Sequence, residues 1–326
     1  MRLGQNPAKS IEQISQPQRL TVALVTYIPF LDGYYAQSLE VLKTCLGSLW
    51  KNTDQPFDLL VFDNASCPTV REYLNEAHRE QKIQYLVLSD KNIGKSGAWN
   101  FIFGSAPGAI IVYADSDVFF YRGWLEALLH VLDLSDKVGM VTGMPLLNPE
   151  EYFSSTIAWA EAEPDARLER GQLLPWEDYW RHAGSLGNDE AKARTYYEAH
   201  DALRLTLHGE QFYLGAGHFQ FAARREVLQQ VLPLPSQRPM GQVRALDEAI
   251  NRLGYLRLST TRWWVQHLGN NLEGWQPLDQ DEAARANSQP AARRQPAISS
   301  GIWSWKPVRA MLLRIYAKSF DLLYKS

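Results

Sequence analysis

Two carboxylates one residue apart repel each other unless a cation lies between or beside them. In AIIVYADSDVFFYRGW (109–124), Asp115 and Asp117 flank Ser116 and follow directly on the apolar run Ile110 to Ala114. That run reads as a buried strand, so the acidic triplet stands at its carboxyl end. In open α/β sheets this is the edge where ligands bind. Hard divalent ions such as Mg²⁺ and Mn²⁺ take oxygen ligands and share them with phosphates, so the spacing suggests a metal–diphosphate site. A solvated acidic turn would use the same three residues.

The stretch NIGKSGAWN, with Asn92 and Lys95, joins a small-residue turn to a helix start, where backbone N–H groups favour anions. A tight turn with a solvent-facing lysine explains it equally well. Thr26 and Tyr27 close the first apolar run, and Asp63 and Asn64 close the second. Asp63, Asn64 and Ser66 also suit a turn that caps the next helix. The small residues Gly215, Ala216 and Gly217 precede His218 and leave the backbone open to close approach. Asp247 and Glu248 open a short helical pattern, and His267 lies near the end of the last apolar run.

The elements that must position these groups alternate. LTVALVTY (20–27), FDLLVFD (57–63), IQYLVLS (83–89), AIIVYA and VGMVTGMPLL (138–147) read as strands. Between them, residues 35–52, 69–80, 92–106 and 122–133 read as helices. Leu39, Leu42, Leu46, Leu49 and Trp50 share one face of the first helix. This rhythm predicts an α/β fold with a mostly parallel central sheet flanked by helices. Residues 148–210 are charged and Trp-rich and show no strand rhythm, so they read as a helical insertion, with helix-like EDYWRHAGSL and DEAKARTYYEAHDALRL. Strand signals return at 212–223, followed by helix 224–232, helix 246–255 with Asp247 as its N-cap and Gly254 as its stop, and strand 255–269. The expected divisions are an extension (1–19), a first half of the sheet domain (20–147), the insertion (148–210), a second half (211–275), and a linker with a basic C-terminal helix (276–326).

In their order and spacing, VTYIP, VFDNAS, NIGKSGAWN, YADSD, LGAGHFQFAARREVL, LDEAINRLGY and VQHLG resemble the inverting nucleotide-sugar glycosyltransferases of family 2, which have the GT-A fold. The resemblance spans residues 20–145 and 211–269. It implies a donor site in which Thr26, Tyr27, Asp63 and Asn64 hold the nucleoside, Asp63 accepting an N–H of the base. Asn92 and Lys95 would meet the ribose or diphosphate. Asp117 would ligate Mn²⁺ or Mg²⁺, with Asp115 on the metal or the ribose, Ser116 beside the donor, and His267 as a further metal ligand. The family draws its base from an acidic pair at a helix start. That pair stands reversed here as Asp247-Glu248, which makes Asp247 the expected base and Glu248 its substitute. Gly217, His218, Trp176 and Trp180 are the expected acceptor contacts. The implied partners are a nucleotide-sugar and a glycan or lipid-linked glycan bearing the accepting hydroxyl. Two rivals share the architecture: a sugar nucleotidyltransferase and a glycan-binding protein without catalysis. The first usually carries a glycine-rich basic loop after strand one, where this chain has VTYIPFLDGYY.

Composition narrows the field further. The 326-residue chain has a net charge of −3, which argues against generic nucleic-acid binding. Cys45 and Cys67 are too few for a disulfide scaffold or zinc cluster, and the N-terminus lacks a signal-peptide core, so a cytoplasmic setting is expected. From Arg293 onward, seven basic residues against Asp321 give the tail +6 and leave −9 on residues 1–292. The amphipathic pattern at 308–324, preceded by Trp303 and Trp305, fits an anionic membrane surface. Docking on the protein's own body, or on a second copy in a homodimer, would bury the same apolar face.

Overall fold

The apolar runs become strands, buried along their length except at 85–89, and the helices between them supply the cover. In chain order the first half comprises β1 (Leu20–Thr26), α1 (Ser38–Asn52), β2 (Asp58–Asn64), α2 (Pro68–Arg79), β3 (Tyr85–Ser89), α3 (Gly94–Ser105) and β4 (Ile110–Asp115). A short β5 (Val118–Phe120), α4 (Trp124–Asp133) and β6 (Val138–Thr142) follow. The computed structural model describes residues 4–238 and 242–279. The tail pattern at 308–324 and most of the expected linker lie outside the described residues.

Segment 148–210 carries the expected helices, α5 (Ser154–Ala162), α6 (Trp176–Ser185) and α7 (Glu190–Ala199). It also carries two strands that were not expected, β7 (Ala166–Gly171) and β8 (Ala202–Leu207). These pair antiparallel with each other, and β8 pairs with β9 (Glu210–Leu214), so the segment extends the sheet. The chain closes through β10 (Gln220–Arg224), α8 (Arg225–Gln230), α9 (Arg244–Arg252), β11 (Leu256–Thr260) and β12 (Val265–His267).

The sheet runs β3-β2-β1-β4-β10-β6-β11-β9-β8-β7, and β12 pairs with β5 in a separate ribbon. Strands β3, β2, β1 and β4 are parallel, as expected from the βαβ rhythm. Beyond them the sheet is mixed: β10 is antiparallel to β4 and β6, whereas β11 is parallel to β6. Alternation along β4 divides its side chains between two cores. Ile110, Val112 and Ala114 pack with Leu42, Leu46, Leu74 and Leu128 from α1, α2 and α4. Ile111 and Tyr113 pack with Trp99, Ile102, Leu228 and Ile250 from α3, α8 and α9. With both faces of β4 covered, its carboxyl end stays open, and that end carries the candidate chemistry.

Candidate functional site

Three backbone connections converge on the acidic triplet, and a fourth bond ties in the neighbouring turn. β4 ends at Asp115, whose N–H donates to Phe219 O at 2.7 Å, in the turn that leads into β10. Leu268 N donates to Asp117 O at 2.7 Å. The β12–β5 pairing sets His267 opposite Val118. Gly217 N donates to Thr142 Oγ1 at 2.7 Å, tying the same turn to the end of β6. Thus Asp115–Asp117, Gly217–Phe219 and His267 are assembled by main chain, and their side chains meet as a consequence.

The two aspartates differ. The Asp115 carboxylate accepts from the Tyr113 hydroxyl and pairs with Lys95 Nζ at 2.5 Å. Lys95 also lies over the rings of Trp99 and Tyr113. Asp117 Oδ2 lies 3.2 Å from His267 Nε2, while its Oδ1 is buried without a hydrogen-bond partner. A buried acceptor of this kind is costly unless something binds it. Burial raises the Asp117 carboxyl, but the His267 and Lys95 charges outweigh it and hold the group below its ordinary value. Burial likewise pulls His267 down, yet Asp117 and Asp115 leave it above its ordinary value.

The other edge of the His267 ring is fixed by the insertion. Ser185 Oγ, at the end of α6, donates to His182 O at 2.7 Å and lies 2.9 Å from His267 Nδ1. With its own proton committed, that hydroxyl accepts from Nδ1–H and leaves Nε2 facing Asp117. Such a partner beyond the ligand is what orients metal-binding histidines. His182 was not among the expected residues. Its ring packs 5.0 Å from that of Phe219 and 6.0 Å from that of His267. Burial, with His267 and His218 adding to it, pushes His182 down to about 3, so it is neutral. Nothing local in EDYWRHAGSL marked His182 or Ser185; only the tertiary fold brings them here.

A divalent ion would find one free carboxylate oxygen, Asp117 Oδ1, and one oriented imidazole nitrogen, His267 Nε2. No group of three or more His, Cys, Asp or Glu side chains suited to a metal occurs among the described residues. Magnesium-like ions, however, commonly rest on one or two protein ligands and complete their shell with substrate phosphates. The pair fits such an ion, whereas Asp115, engaged by Tyr113 and Lys95, belongs to the ammonium.

On the nucleoside side the expected residues separate. Asn64 Nδ2 donates to Asn92 Oδ1 at 2.9 Å and Asn64 Oδ1 accepts from Ile93 N at 2.9 Å, locking the turn before α3. Thr26 is buried with an unpartnered Oγ1, and Tyr27 is exposed, edge-on to Tyr35. Asp63 differs from expectation. It is wholly buried, accepts from Ser66 N at 3.1 Å and pairs with Arg71 Nε at 2.9 Å, so its carboxylate serves the turn after β2. Ser116 is half-buried between the two aspartates.

Across the cleft the acidic pair points two ways. Asp247 was expected to cap its helix, but α9 begins at Arg244, so Asp247 lies within the first turn. It is buried there, with Oδ1 2.5 Å from Arg257 Nη2 and Oδ2 3.4 Å from His218 Nδ1. Glu248 is exposed. Arg257 is fully buried and also donates to Ala216 O and Tyr152 O. Burial pulls its guanidinium below the ordinary value, with Asp247 opposing. Trp176 and Trp180 stack on each other, and Arg194 lies 3.7 Å from the Trp176 ring, so these tryptophans pack the α6–α7 pair.

Residues 34–183 match the model of glycosyl transferase family 2. Over that stretch, 150 of the 326 residues, the chain is similar to that family. The family 2 match spans the acidic triplet and most of α6, whereas Asp247, Arg257 and His267 lie beyond it. A Nostoc sp. protein, the uncharacterized glycosyltransferase alr2836, is 21% identical over 107 residues, 33% of each chain. The chain thus spans about a third of that relative's length. Among solved structures, Staphylococcus aureus TarS 1-349 matches at 13% identity and a TM-score of 0.45, over 76% of this chain and 59% of that one. The mannosyltransferase PcManGT from Pyrobaculum calidifontis, in complex with GDP-Man and Mn²⁺, matches at 17% identity and a TM-score of 0.43, over 76% and 55%. No helix among the described residues is long and apolar enough to cross a membrane.

Proposed function

We propose that this chain is a metal-dependent, inverting glycosyltransferase that moves a sugar from a nucleotide-activated donor to a hydroxyl of a glycan or lipid-linked glycan. The observation that carries the reading is the orphaned Asp117 Oδ1 beside His267, whose ring is oriented from behind by Ser185. Asp117 and His267 would hold the divalent ion, which when bound offsets the charge that builds on the departing diphosphate. Lys95 adds a second positive charge at the same place, with Asp115 keeping it there. Asn64 and Asn92 hold the turn against which the ribose and diphosphate rest, and Tyr27 offers its exposed ring to the nucleoside.

Inversion requires the acceptor oxygen to reach the anomeric carbon on the face opposite the diphosphate. A group on that side must also take the hydroxyl proton. Asp247 is the acid turned inward from α9 and Glu248 the one turned out, which supports Asp247 as the carboxylate of that base. Gly217 lets the Phe219 ring pack against this turn, since a Cβ there would stand 2.7 Å from that ring.

A thermal-shift panel of UDP-, GDP-, dTDP- and CMP-linked sugars, each with and without Mn²⁺, tests the reading. One donor should raise the melting temperature only with the metal and release its nucleotide slowly. Stabilisation by a nucleoside triphosphate with a sugar phosphate, and by no sugar nucleotide, would point instead to a nucleotidyltransferase.

A further inference from the structure

The carboxylate at the heart of the proposed base is in no position to touch an acceptor. The Asp247 side chain is 6% exposed, and both of its oxygens are spoken for. Oδ1 lies 2.5 Å from Arg257 Nη2, and Oδ2 faces His218 Nδ1 at 3.4 Å. A general base must come within hydrogen-bond reach of the proton it removes, or act through one water. Of the two side chains that meet those oxygens, Arg257 is fully buried, whereas His218 is 40% exposed.

We infer that His218 is the catalytic base, with Asp247 and Arg257 as the residues that position it. The inference rests on the glycosyltransferase reading. Nδ1–H donates to Asp247 Oδ2, so in the neutral ring Nε2 carries a lone pair on the opposite edge, away from Asp247. Arg257 grips the arrangement twice: one guanidinium nitrogen, Nη2, meets Asp247 Oδ1 at 2.5 Å and Ala216 O, two residues before His218, at 2.7 Å. That nucleophile-activating order, a base held by a third group, is the general one for imidazole–carboxylate pairs.

The backbone also sets His218 beside the donor site. Its neighbour Gly217 is bonded to Thr142 Oγ1, and its neighbour Phe219 accepts from Asp115 N. In the step, Nε2 takes the proton of the acceptor hydroxyl while that oxygen bonds to the anomeric carbon. The bond from that carbon to the diphosphate oxygen breaks, and its electron pair leaves with the nucleoside diphosphate. When water replaces the acceptor, the same step hydrolyses the donor, so turnover is measurable without knowing the acceptor.

Release of the nucleotide (UDP, GDP or dTDP from the diphosphate-linked sugars, CMP from a CMP-linked sugar) with Mn²⁺ provides the test, on the full chain and its His218→Gln and His218→Ala variants. His218→Gln should lower kcat about 10²- to 10⁴-fold with donor affinity within about twofold of the parent. Added imidazole should restore His218→Ala at least tenfold, by about the size of a modest base contribution. A His218→Gln rate equal to the parent's overturns the inference. So does a slow His218→Ala that imidazole leaves slow, which marks a merely positional role. Release from no donor by the unmodified chain removes the transferase reading and this inference with it, whereas release that ignores His218 removes only the inference.

Discussion

His267 Nε2 lies 3.2 Å from Asp117 Oδ2 because β12 pairs antiparallel with β5 and places His267 against Val118, the residue after Asp117. The side-chain pair is thus a product of strand register, and a two-residue ribbon slip would break it. Its protonation gives the first expectation. Without metal, the raised His267 pKa means that the pair contributes stability below 6.5, the ordinary value, and loses it as pH climbs through the folded-state value. Metal binding needs the neutral ring, so it runs the other way. Mn²⁺-dependent stabilisation by the donor should therefore strengthen as pH climbs from 6.5 through the folded-state value. In His267→Gln this strengthening should be lost, as a melting-temperature series against pH would report.

Ser185 tests whether the insertion serves the site. Ser185→Ala removes the acceptor for His267 Nδ1–H and frees the ring to turn. Mn²⁺ affinity in the presence of donor should fall about 10- to 100-fold, with little change in the melting temperature of the metal-free chain. Titration calorimetry of the two proteins separates these effects.

Arg257→Met is expected to be a stability variant. It fills a similar volume but strands the Asp247 carboxylate in a buried site and frees the Ala216 and Tyr152 carbonyls. Loss of one partner from a buried ion pair costs about 3–5 kcal/mol, to be read from urea unfolding midpoints.

Gly217→Ala should act on turnover more than on stability. The added Cβ would lie 2.7 Å from the Phe219 ring and 3.1 Å from Leu146, so the turn must shift. Phe219 O holds the Asp115 N–H, and the shift is carried into the donor site. Displacements of about 1 Å cost on the order of 10²-fold in rate, which donor hydrolysis would reveal against a nearly unchanged melting temperature.

What the sequence disclosed follows from how local each signal is. The runs that became β1, β2 and β4 declared themselves because strands covered on both faces are apolar throughout. The alternation LRLTL within β8 was equally present, but the helical composition of the residues before it masked the change of period at His200. Asp247 was misplaced as a cap because α9 starts at Arg244, with Leu246 and Ile250 facing the core and Asp247 turned toward Arg257. A single arginine inside LRLST gives no hint that it is fully buried. Asp63 carried the right signal for a strand-end carboxylate, yet its partner Arg71 sits on α2, where sequence alone shows only a surface helix. Ser185 and His182 reach His267 across the fold, which no local pattern records.

The most direct measurement is Mn²⁺ binding, followed by electron paramagnetic resonance of the free ion, in the presence of UDP or GDP. The unmodified chain should take up one Mn²⁺ with the matching nucleotide, and Asp117→Asn, which removes the carboxylate charge beside His267, should take up none at the same concentrations. Equal uptake by the two proteins would contradict a metal–diphosphate site at Asp117.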